Sequence, residues 1–172
     1  MNWEYLNEKC DERLVIIADY LKGKTKDKFI VDLDCLEGRI LNYLDHDYMS
    51  YKGNDVLVDR FVGGYKATIK QQKSKEFVKT LNRCDILLVL GFTDYVDNTN
   101  PVEDQDLVNS VKYVLGEKEP KIVVIETWYN YKDANKRMAE HCKNLGYKVK
   151  LEQEIDPQTE SMLHRYLTIL ER

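Results

Sequence analysis

Apolar residues recur every three or four positions in three segments of the chain, and this spacing predicts three amphipathic helices. The predicted helices cover residues 3 to 21, 104 to 115 and 133 to 145. Each is followed by a glycine, which commonly ends a helix because it adopts a left-handed backbone without strain: Gly23, Gly116 and Gly146. We expect the apolar stripe of each helix to pack against a sheet.

Strand patterns lie between these helices. The segments 85 to 91 and 121 to 126 have continuously apolar centres, which is typical of strands in a parallel sheet covered on both faces. Further strands are predicted at residues 28 to 33, 48 to 55, 147 to 155 and 164 to 172, with a weak one around Phe77 and a short helix at 38 to 44. Residues 56 to 74 give no clear prediction, because two adjacent glycines interrupt any long helix there.

The alternation of strands and helices predicts an α/β fold with a mainly parallel sheet. The last two strand patterns are joined only by the short segment DPQTES, whereas a parallel crossover needs about a dozen residues or more. We therefore expect the final strand to be antiparallel to its neighbour. The 172 residues suit one domain, 1 to 172, in which residues 1 to 23 form a leading helix.

Composition narrows the class of protein. A chain with 43% hydrophobic and 33% charged residues is ordinary for a globular domain, and its apolar content excludes intrinsic disorder. A net charge of -4 disfavours an extended contact with nucleic acid, although four lysines cluster locally: Lys66, Lys70, Lys73 and Lys75. Scattered cysteines and histidines predict no metal site and free thiols in a reducing cytoplasm. The sequence shows no signal peptide and no membrane span.

Candidate chemistry lies where the predicted strands end, since ligands of open α/β sheets bind at the carboxyl ends of strands. The first strand ends at Asp32, and Gly38 follows before a short helical pattern. The second strand contains Gly53 and ends near Asp55, 23 residues after Asp32 (55 − 32). An acid at about this distance commonly holds the ribose of a nucleoside. Gly91 follows a later strand and allows close backbone approach to a ligand.

These residues resemble the motifs of the class I S-adenosylmethionine-dependent methyltransferases. The segment DLDCLEGRIL resembles the family's first motif, D-x-G-x-G-x-G, and YKGND resembles its Y-x-G-x-D. CDILLVLGF resembles the family's fourth strand and HRYLTILER its closing antiparallel strand. The resemblance implies a three-layer, doubly wound, seven-stranded sheet with S-adenosylmethionine as cofactor. It places six residues beside that cofactor: Asp32, Asp34, Cys35, Gly38, Asp55 and Gly91.

The first motif departs from the family pattern at two of its glycines. Asp34 and Leu36 occupy those positions, and only Gly38 remains. Aspartate tolerates a left-handed backbone better than most residues, so the turn can survive at Asp34. Its charge would attract the ammonium and sulfonium groups of the cofactor or repel its carboxylate.

The resemblance also implies that the loops after the fourth and fifth strands face the methyl acceptor. Asp94 or Glu126 could take a proton from an acceptor hydroxyl or amine. Aromatic residues of the same loops could contact a planar or sugar substrate: Tyr95, Trp128, Tyr129 and Tyr131. The alternative for each residue is a structural task, with the aromatics covering the sheet edge and the carboxylates capping helices.

Methyl transfer to a small molecule is the function that this sequence favours, and two alternatives remain open. FIVDLDCL also resembles the D-x-D-x-T signature of haloacid-dehalogenase-like phosphatases, in which Asp32 would be the nucleophile and Asp34 the acid–base beside Mg²⁺. Leu36, however, stands where that signature has threonine. The other alternative is a protein with a degenerate methyltransferase fold that binds a partner or a nucleotide and catalyses no reaction. The replacement of a motif glycine by Asp34 keeps this alternative open.

Overall fold

The computed structural model describes residues 3–35, 38–56, 66–92, 101–156 and 164–172, and it omits the side chains of 3–10 and 101–104. The α-helices are α1 (Trp3–Leu21), α2 (Ser74–Phe77), α3 (Pro101–Glu117) and α4 (Lys132–Asn144). The strands are β1 (Phe29–Leu33), β2 (Ser50–Asp55), β3 (Ala67–Gln71), β4 (Ile86–Leu90), β5 (Ile122–Trp128), β6 (Lys148–Ile155) and β7 (Arg165–Glu171). Short 3-10 turns cover Arg39–Asn42, Val78–Thr80 and Tyr129–Tyr131.

The strands form one seven-stranded sheet in the order β3-β2-β1-β4-β5-β7-β6. Strands β1 to β5 run parallel, and β7 lies antiparallel between β5 and β6. This confirms the predicted antiparallel strand at the end of the chain, and the structure inserts it between β5 and β6. The carboxyl ends of β1, β2, β4 and β5 consequently meet at one edge of the sheet, and β7 begins at that edge.

Two apolar clusters on opposite faces make the fold a three-layer structure. One face packs inward-pointing residues of β1, β4 and β5 against α2, α3 and α4, with Val111 of α3 and Cys142 of α4 fully buried. The other face packs against α1, whose Ile17 and Leu21 are fully buried. Alternate residues of the parallel strands serve the two clusters, which explains their continuous apolar sequences. The predicted three-layer class is confirmed.

The predicted weak strand around Phe77 is wrong. Phe77 and Val78 are adjacent and both pack into the apolar cluster on one face of the sheet, whereas adjacent residues of a strand point to opposite faces. They belong to α2 and the 3-10 turn that follows it. The third strand lies earlier, at β3, where Lys70 and Gln71 are exposed. Because β3 is an edge strand with a half-exposed, polar sequence, its pattern is too weak to predict.

The end of α3 also differs from the prediction. The helix begins at Pro101, which suits a first helical turn, and continues through Gly116 to Glu117. Gly116 therefore does not end the helix, whereas Gly146 follows α4 with a left-handed φ of +93°. Among the described helices, none combines the length and apolar character that a membrane span requires.

Asn135 joins α4 to β5 and β7, which pair with each other in antiparallel orientation. Its fully buried side-chain amide donates to the carbonyl oxygens of Ile125 (2.9 Å) and Tyr166 (3.2 Å). Its side-chain oxygen accepts a hydrogen bond from the Thr168 hydroxyl at 2.6 Å. A single polar side chain thus fixes the position of α4 over the pairing of β5 with β7.

Substitution of Gly116 and of Gly146 by alanine should change the stability of the fold in opposite directions. A Cβ at either position meets no atom within 4 Å, so only backbone conformation separates them. Gly116→Ala should stabilise the protein by ~0.5–1 kcal/mol, because alanine favours a helix. Gly146→Ala should destabilise it by ~1 kcal/mol, because alanine is strained at positive φ. Urea unfolding of both variants measures this, and a destabilising Gly116→Ala would contradict the helical assignment.

Candidate functional site

A shallow cleft of about 40 Å³ lies at the carboxyl edge of the sheet, on the face covered by α1. Asp32 of β1, Leu90 of β4 and Arg13 of α1 line it. Asp34 and Cys35 from the loop after β1 and Arg39 from the 3-10 turn that follows line it as well. The structure therefore brings together three of the six predicted cofactor residues, Asp32, Asp34 and Cys35, in one cleft.

Asp32 is a buried carboxylate with one oxygen left over. Its side chain is 1% exposed, and Oδ2 accepts a hydrogen bond from the Tyr51 hydroxyl at 2.5 Å. Oδ1 accepts no hydrogen bond from the described residues. Burial raises the pKa of Asp32 to about 7, although Tyr51 and the Arg13 guanidinium oppose the rise. Asp32 can therefore exchange a proton near neutral pH, and a nearby cation would favour its charged form.

Asp34 keeps the turn that glycine would make. Its φ is +53°, in the left-handed region, as the sequence led us to expect. Its Oδ1 accepts hydrogen bonds from the Ser74 hydroxyl (2.5 Å) and the Asn54 amide (3.3 Å). The carboxylate thus ties the end of β1 to β2 and to the first residue of α2. Asp34 has a structural task that glycine could not perform.

Cys35 occupies the space beside Gly53. A Cβ on Gly53 would lie 2.5 Å from the Cys35 Sγ, so only glycine accommodates this thiol without a shift. Burial and the nearby Asp32 and Asp55 raise the pKa of Cys35, which keeps the thiol neutral. The glycine of the YKGND segment therefore holds a side chain from the loop after β1.

Gly38 precedes a shorter and tighter helix than the sequence predicts, a 3-10 turn of which it is the N-cap. It has a φ of +68°, and a Cβ there would lie 2.7 Å from the Ile69 Cδ1. The segment that follows is one 3-10 turn, Arg39–Asn42. A turn of this length offers only a weak alignment of backbone dipoles compared with an α-helix.

Asp55 and Gly91 end their strands at the same edge. Asp55 is 5% exposed, and its carbonyl oxygen accepts a hydrogen bond from the Gln72 N–H at 3.0 Å. Gly91 has a φ of +87°, and a Cβ there would meet no atom of the described residues within 4 Å. The described residues therefore leave the backbone of Gly91 accessible to close approach by a ligand.

Glu126 links four elements of the fold. Its fully buried carboxylate accepts hydrogen bonds from Arg13 of α1 (2.5 Å) and from the Gly91 N–H after β4 (2.8 Å). The Arg165 guanidinium, at the start of β7, lies 3.4 Å from its other oxygen. Two guanidinium groups and a backbone N–H thus hold this carboxylate in place. The geometry thus favours a positioning task for this predicted catalytic residue.

The predicted aromatic residues after β5 have separate environments. Trp128 is 45% exposed, and the Arg165 guanidinium lies 4.8 Å from its ring centre. Tyr129 stacks on the His164 ring at 3.7 Å and accepts a hydrogen bond from the Lys132 ammonium at 2.7 Å. Tyr131 packs against the core beneath α4 instead. Trp128 and Tyr129 therefore remain candidates for contact with a substrate, whereas Tyr131 has a packing contact.

Sequence reasoning missed His164 and Arg165, although a signal for them existed. Arg165 pairs with Trp128 in the antiparallel register of β5 and β7. Had the register between β5 and β7 been known, the sequence would have placed HRY opposite the end of KIVVIETW. The two remaining predicted residues, Asp94 and Tyr95, lie outside the described residues.

Loss of the Glu126 charge should destabilise the fold. Glu126→Gln leaves two guanidinium groups facing a neutral side chain, and breaking a buried ion pair typically costs ~3 kcal/mol or more. Glu140→Gln is the matched control, because Glu140 is an exposed acid paired with Lys143 and should contribute below ~1 kcal/mol. Urea unfolding compares the two variants. Wild-type stability in Glu126→Gln would contradict the positioning task.

Asp32 should make the stability of the ligand-free protein depend on pH. Its folded pKa of about 7 exceeds the unfolded value near 3.8, so the folded state binds more protons between these values. The associated stability is present below pH ~4 and is lost as the pH rises to ~7. Relative to wild type, Asp32→Asn should gain ~3–4 kcal/mol over this interval. Urea unfolding against pH measures the gain, and Asp19→Asn controls for the loss of one exposed charge.

Solved structures, but not sequences, match this chain. No protein-family model matches it, and neither does any curated protein sequence. The N-methyltransferase NodS from Bradyrhizobium japonicum is similar with a TM-score of 0.71 and 10% identity, over 96% of this chain and 97% of that one. Magnesium protoporphyrin IX methyltransferase (ChlM) from Synechocystis, with bound SAM, has a TM-score of 0.71 and 11% identity, over 100% and 85%. The methyltransferase domain of a bacterial CtHen1 has a TM-score of 0.68 and 18% identity, over 94% and 98%. The chain therefore has the seven-stranded fold of these S-adenosylmethionine-dependent methyltransferases.

Proposed function

We propose that this protein transfers a methyl group from S-adenosylmethionine to a small-molecule acceptor. One observation carries the proposal: Asp32, Asp55 and Gly91 converge at the carboxyl edge of a sheet whose strand order includes the closing antiparallel strand. Structures with this fold include ChlM with bound SAM and a Streptococcus mutans putative methyltransferase in complex with SAH. The same edge of this chain supplies acidic and backbone groups suited to a cationic nucleoside.

The polar groups of the edge fit that cofactor. The carboxylate of Asp55 could accept two hydrogen bonds from a ribose diol, and such charge-assisted bonds are strong. Asp32 lines the cleft, and its Oδ1, which accepts no hydrogen bond from the described residues, could face the ammonium or sulfonium group. The open space at Gly91 would admit close approach of the adenosine part. The two acids and Gly91 thus serve different parts of one ligand.

The space between the described residues is smaller than the cofactor. Small-molecule sites typically measure ~300–1,000 Å³, whereas this cleft measures about 40 Å³. Binding therefore requires side chains at the mouth of the cleft to move. Arg39 is one candidate, because its ion pair with Asp11 (2.7 Å) is partly exposed and such pairs contribute little to stability.

Methyl transfer would place modest demands on this site. The cofactor supplies an electrophilic sulfonium methyl, so the main task of the protein is to hold the acceptor in line with it. Trp128 and Tyr129 offer aromatic surfaces for a planar acceptor at the end of β5. We assign proton removal to Asp94 rather than to Glu126, which is buried between two arginines. A cytoplasmic location remains part of this proposal.

A small acceptor fits the charge of the chain better than RNA does. The net charge is -4, and Lys75 of the lysine cluster pairs with Asp106 at 2.9 Å. The exposed aromatic residues among those described, Tyr43, Tyr113 and Trp128, belong to three separate segments and form no continuous stacking surface. Recognition of RNA would require a larger basic field than this.

Binding without catalysis is the second candidate, and the small cleft favours it. Asp34 supports it too, because its carboxylate occupies the position of a motif glycine. The phosphatase alternative has less support. Its nucleophile must reach a phosphate, but Asp32 is 1% exposed and bonded to Tyr51, and the described residues contain no group of three His, Cys, Asp or Glu that could hold a metal.

Substitution of Asp55 tests the proposed ribose contact. Asp55→Ala should weaken S-adenosylmethionine binding by ~10- to 150-fold, the effect of losing a charged hydrogen-bond acceptor. Isothermal titration measures this, with Asp19→Ala as a control for the loss of an exposed acid. Melting curves without ligand detect any loss of stability. Unchanged affinity with a lower melting temperature would leave Asp55 a structural residue, whereas no binding to the wild type would overturn the whole proposal.

A further inference from the structure

Asp32 differs from Glu126, which is also buried at the carboxyl edge, in the groups that hold its charge. Glu126 accepts hydrogen bonds from the Arg13 guanidinium and from the Gly91 N–H. Asp32 is as well hidden from solvent, at 1% exposure, but among the described residues only the Tyr51 hydroxyl donates to its side chain. Oδ1 of Asp32 is therefore a buried acceptor without a donor in this part of the chain, which is costly when the carboxylate is charged.

The charged groups around Asp32 compensate for this only in part. Arg13 of α1 favours the ionised form of Asp32, but its guanidinium is already paired with Glu126 at 2.5 Å. Two acids oppose a further negative charge: Asp34, two residues along the chain, and Asp55, at the end of the adjacent β2. The residues that pair with Asp32 in β2 and β4 are a glycine and a leucine, which carry no charge.

The balance of these effects places the titration of Asp32 near neutral pH. Burial and the two neighbouring acids raise the pKa of Asp32 to about 7, whereas Tyr51 and Arg13 oppose the rise. The Cys35 thiol, which also lines the cleft, stays neutral in this range, because burial and the charge of Asp32 raise its pKa. A cation placed beside Asp32 would lower the pKa of Asp32 and so expel its proton.

We propose that Asp32 holds a proton in the ligand-free cleft and releases it to solvent when the positively charged cofactor binds. This inference rests on the proposed function, because it requires a cationic ligand in the cleft. The O–H bond of the carboxyl group breaks, the proton passes to water, and the carboxylate that remains faces the positive charge of the ligand. Cofactor binding is then coupled to pH, and affinity should rise about fivefold from pH 6 to pH 7 as the proton is lost beforehand.

Isothermal titration in two buffers of different ionisation enthalpy counts the released protons. S-adenosylmethionine should release about 0.9 proton per bound molecule at pH 6 and about 0.5 at pH 7, which are the protonated fractions of a group with a pKa of about 7. S-adenosylhomocysteine has the ammonium group but no sulfonium. Equal release with both ligands would assign the ammonium as the partner of Asp32, and release with S-adenosylmethionine alone would assign the sulfonium.

Three variants identify the group that loses the proton. Asp32→Asn should abolish the release and the change of affinity between pH 6 and pH 7. Should this variant bind too weakly to titrate, Tyr51→Phe decides: it removes the donor that favours the ionised form, so release at pH 7 should exceed the wild-type value. Asp19→Asn, at an exposed acid, should release as many protons as the wild type.

The outcomes separate this inference from the proposed function. Binding of both ligands to the wild type without proton release at either pH would overturn the inference and leave the cofactor assignment standing. Release that persists in Asp32→Asn, or that is unchanged in Tyr51→Phe, would place the proton on another group and overturn it as well. Binding of neither ligand would overturn both.

Discussion

The buried carboxylate of Glu126 is the interaction on which the carboxyl edge of the sheet depends. It is fully buried, yet it holds Arg13 of α1, the Gly91 N–H at the end of β4 and Arg165 at the start of β7. Such a group is stable in the core only while its partners remain in place, since an unpaired buried charge is very costly. The leading helix, the central strands and the closing strand are therefore fixed relative to one another at this point. The two arginines also connect the cleft with the aromatic residues after β5. The charge of Arg13 acts on Asp32 in the cleft, and the Arg165 guanidinium lies over the Trp128 ring.

The replacement of a motif glycine by Asp34 changes the character of the cleft. Glycine at this position would leave room, whereas Asp34 links β1 to Asn54 and Ser74. Its charge acts on Asp32, whose pKa both Asp34 and Asp55 help to raise. The cleft is consequently rich in acidic residues and small in volume. A cationic ligand gains from the acids, but it must displace neighbouring side chains to reach them.

The sequence was sufficient for the central strands and for the topology of the end of the chain. Parallel strands buried on both faces show continuous apolar segments, as β4 and β5 do, and the short DPQTES connection required an antiparallel strand. The edge strand β3 could not be predicted, because half of its residues face solvent. The site was predicted in part. Acids at strand ends, Asp32 and Asp55, are readable from spacing, whereas the ion pairs of Glu126 join residues 113 and 39 positions away (126 − 13; 165 − 126), which no local pattern shows.

Hydrogen–deuterium exchange with and without S-adenosylhomocysteine tests the central claim most directly, because it reports where a ligand binds rather than whether catalysis occurs. If the carboxyl edge is the cofactor site, saturating ligand should slow exchange in peptides that contain the ends of β1, β2 and β4. Peptides from β6, at the far edge of the sheet, should exchange at an unchanged rate. Unchanged exchange at all three strand ends, under conditions that saturate a methyltransferase of this fold, would contradict the account.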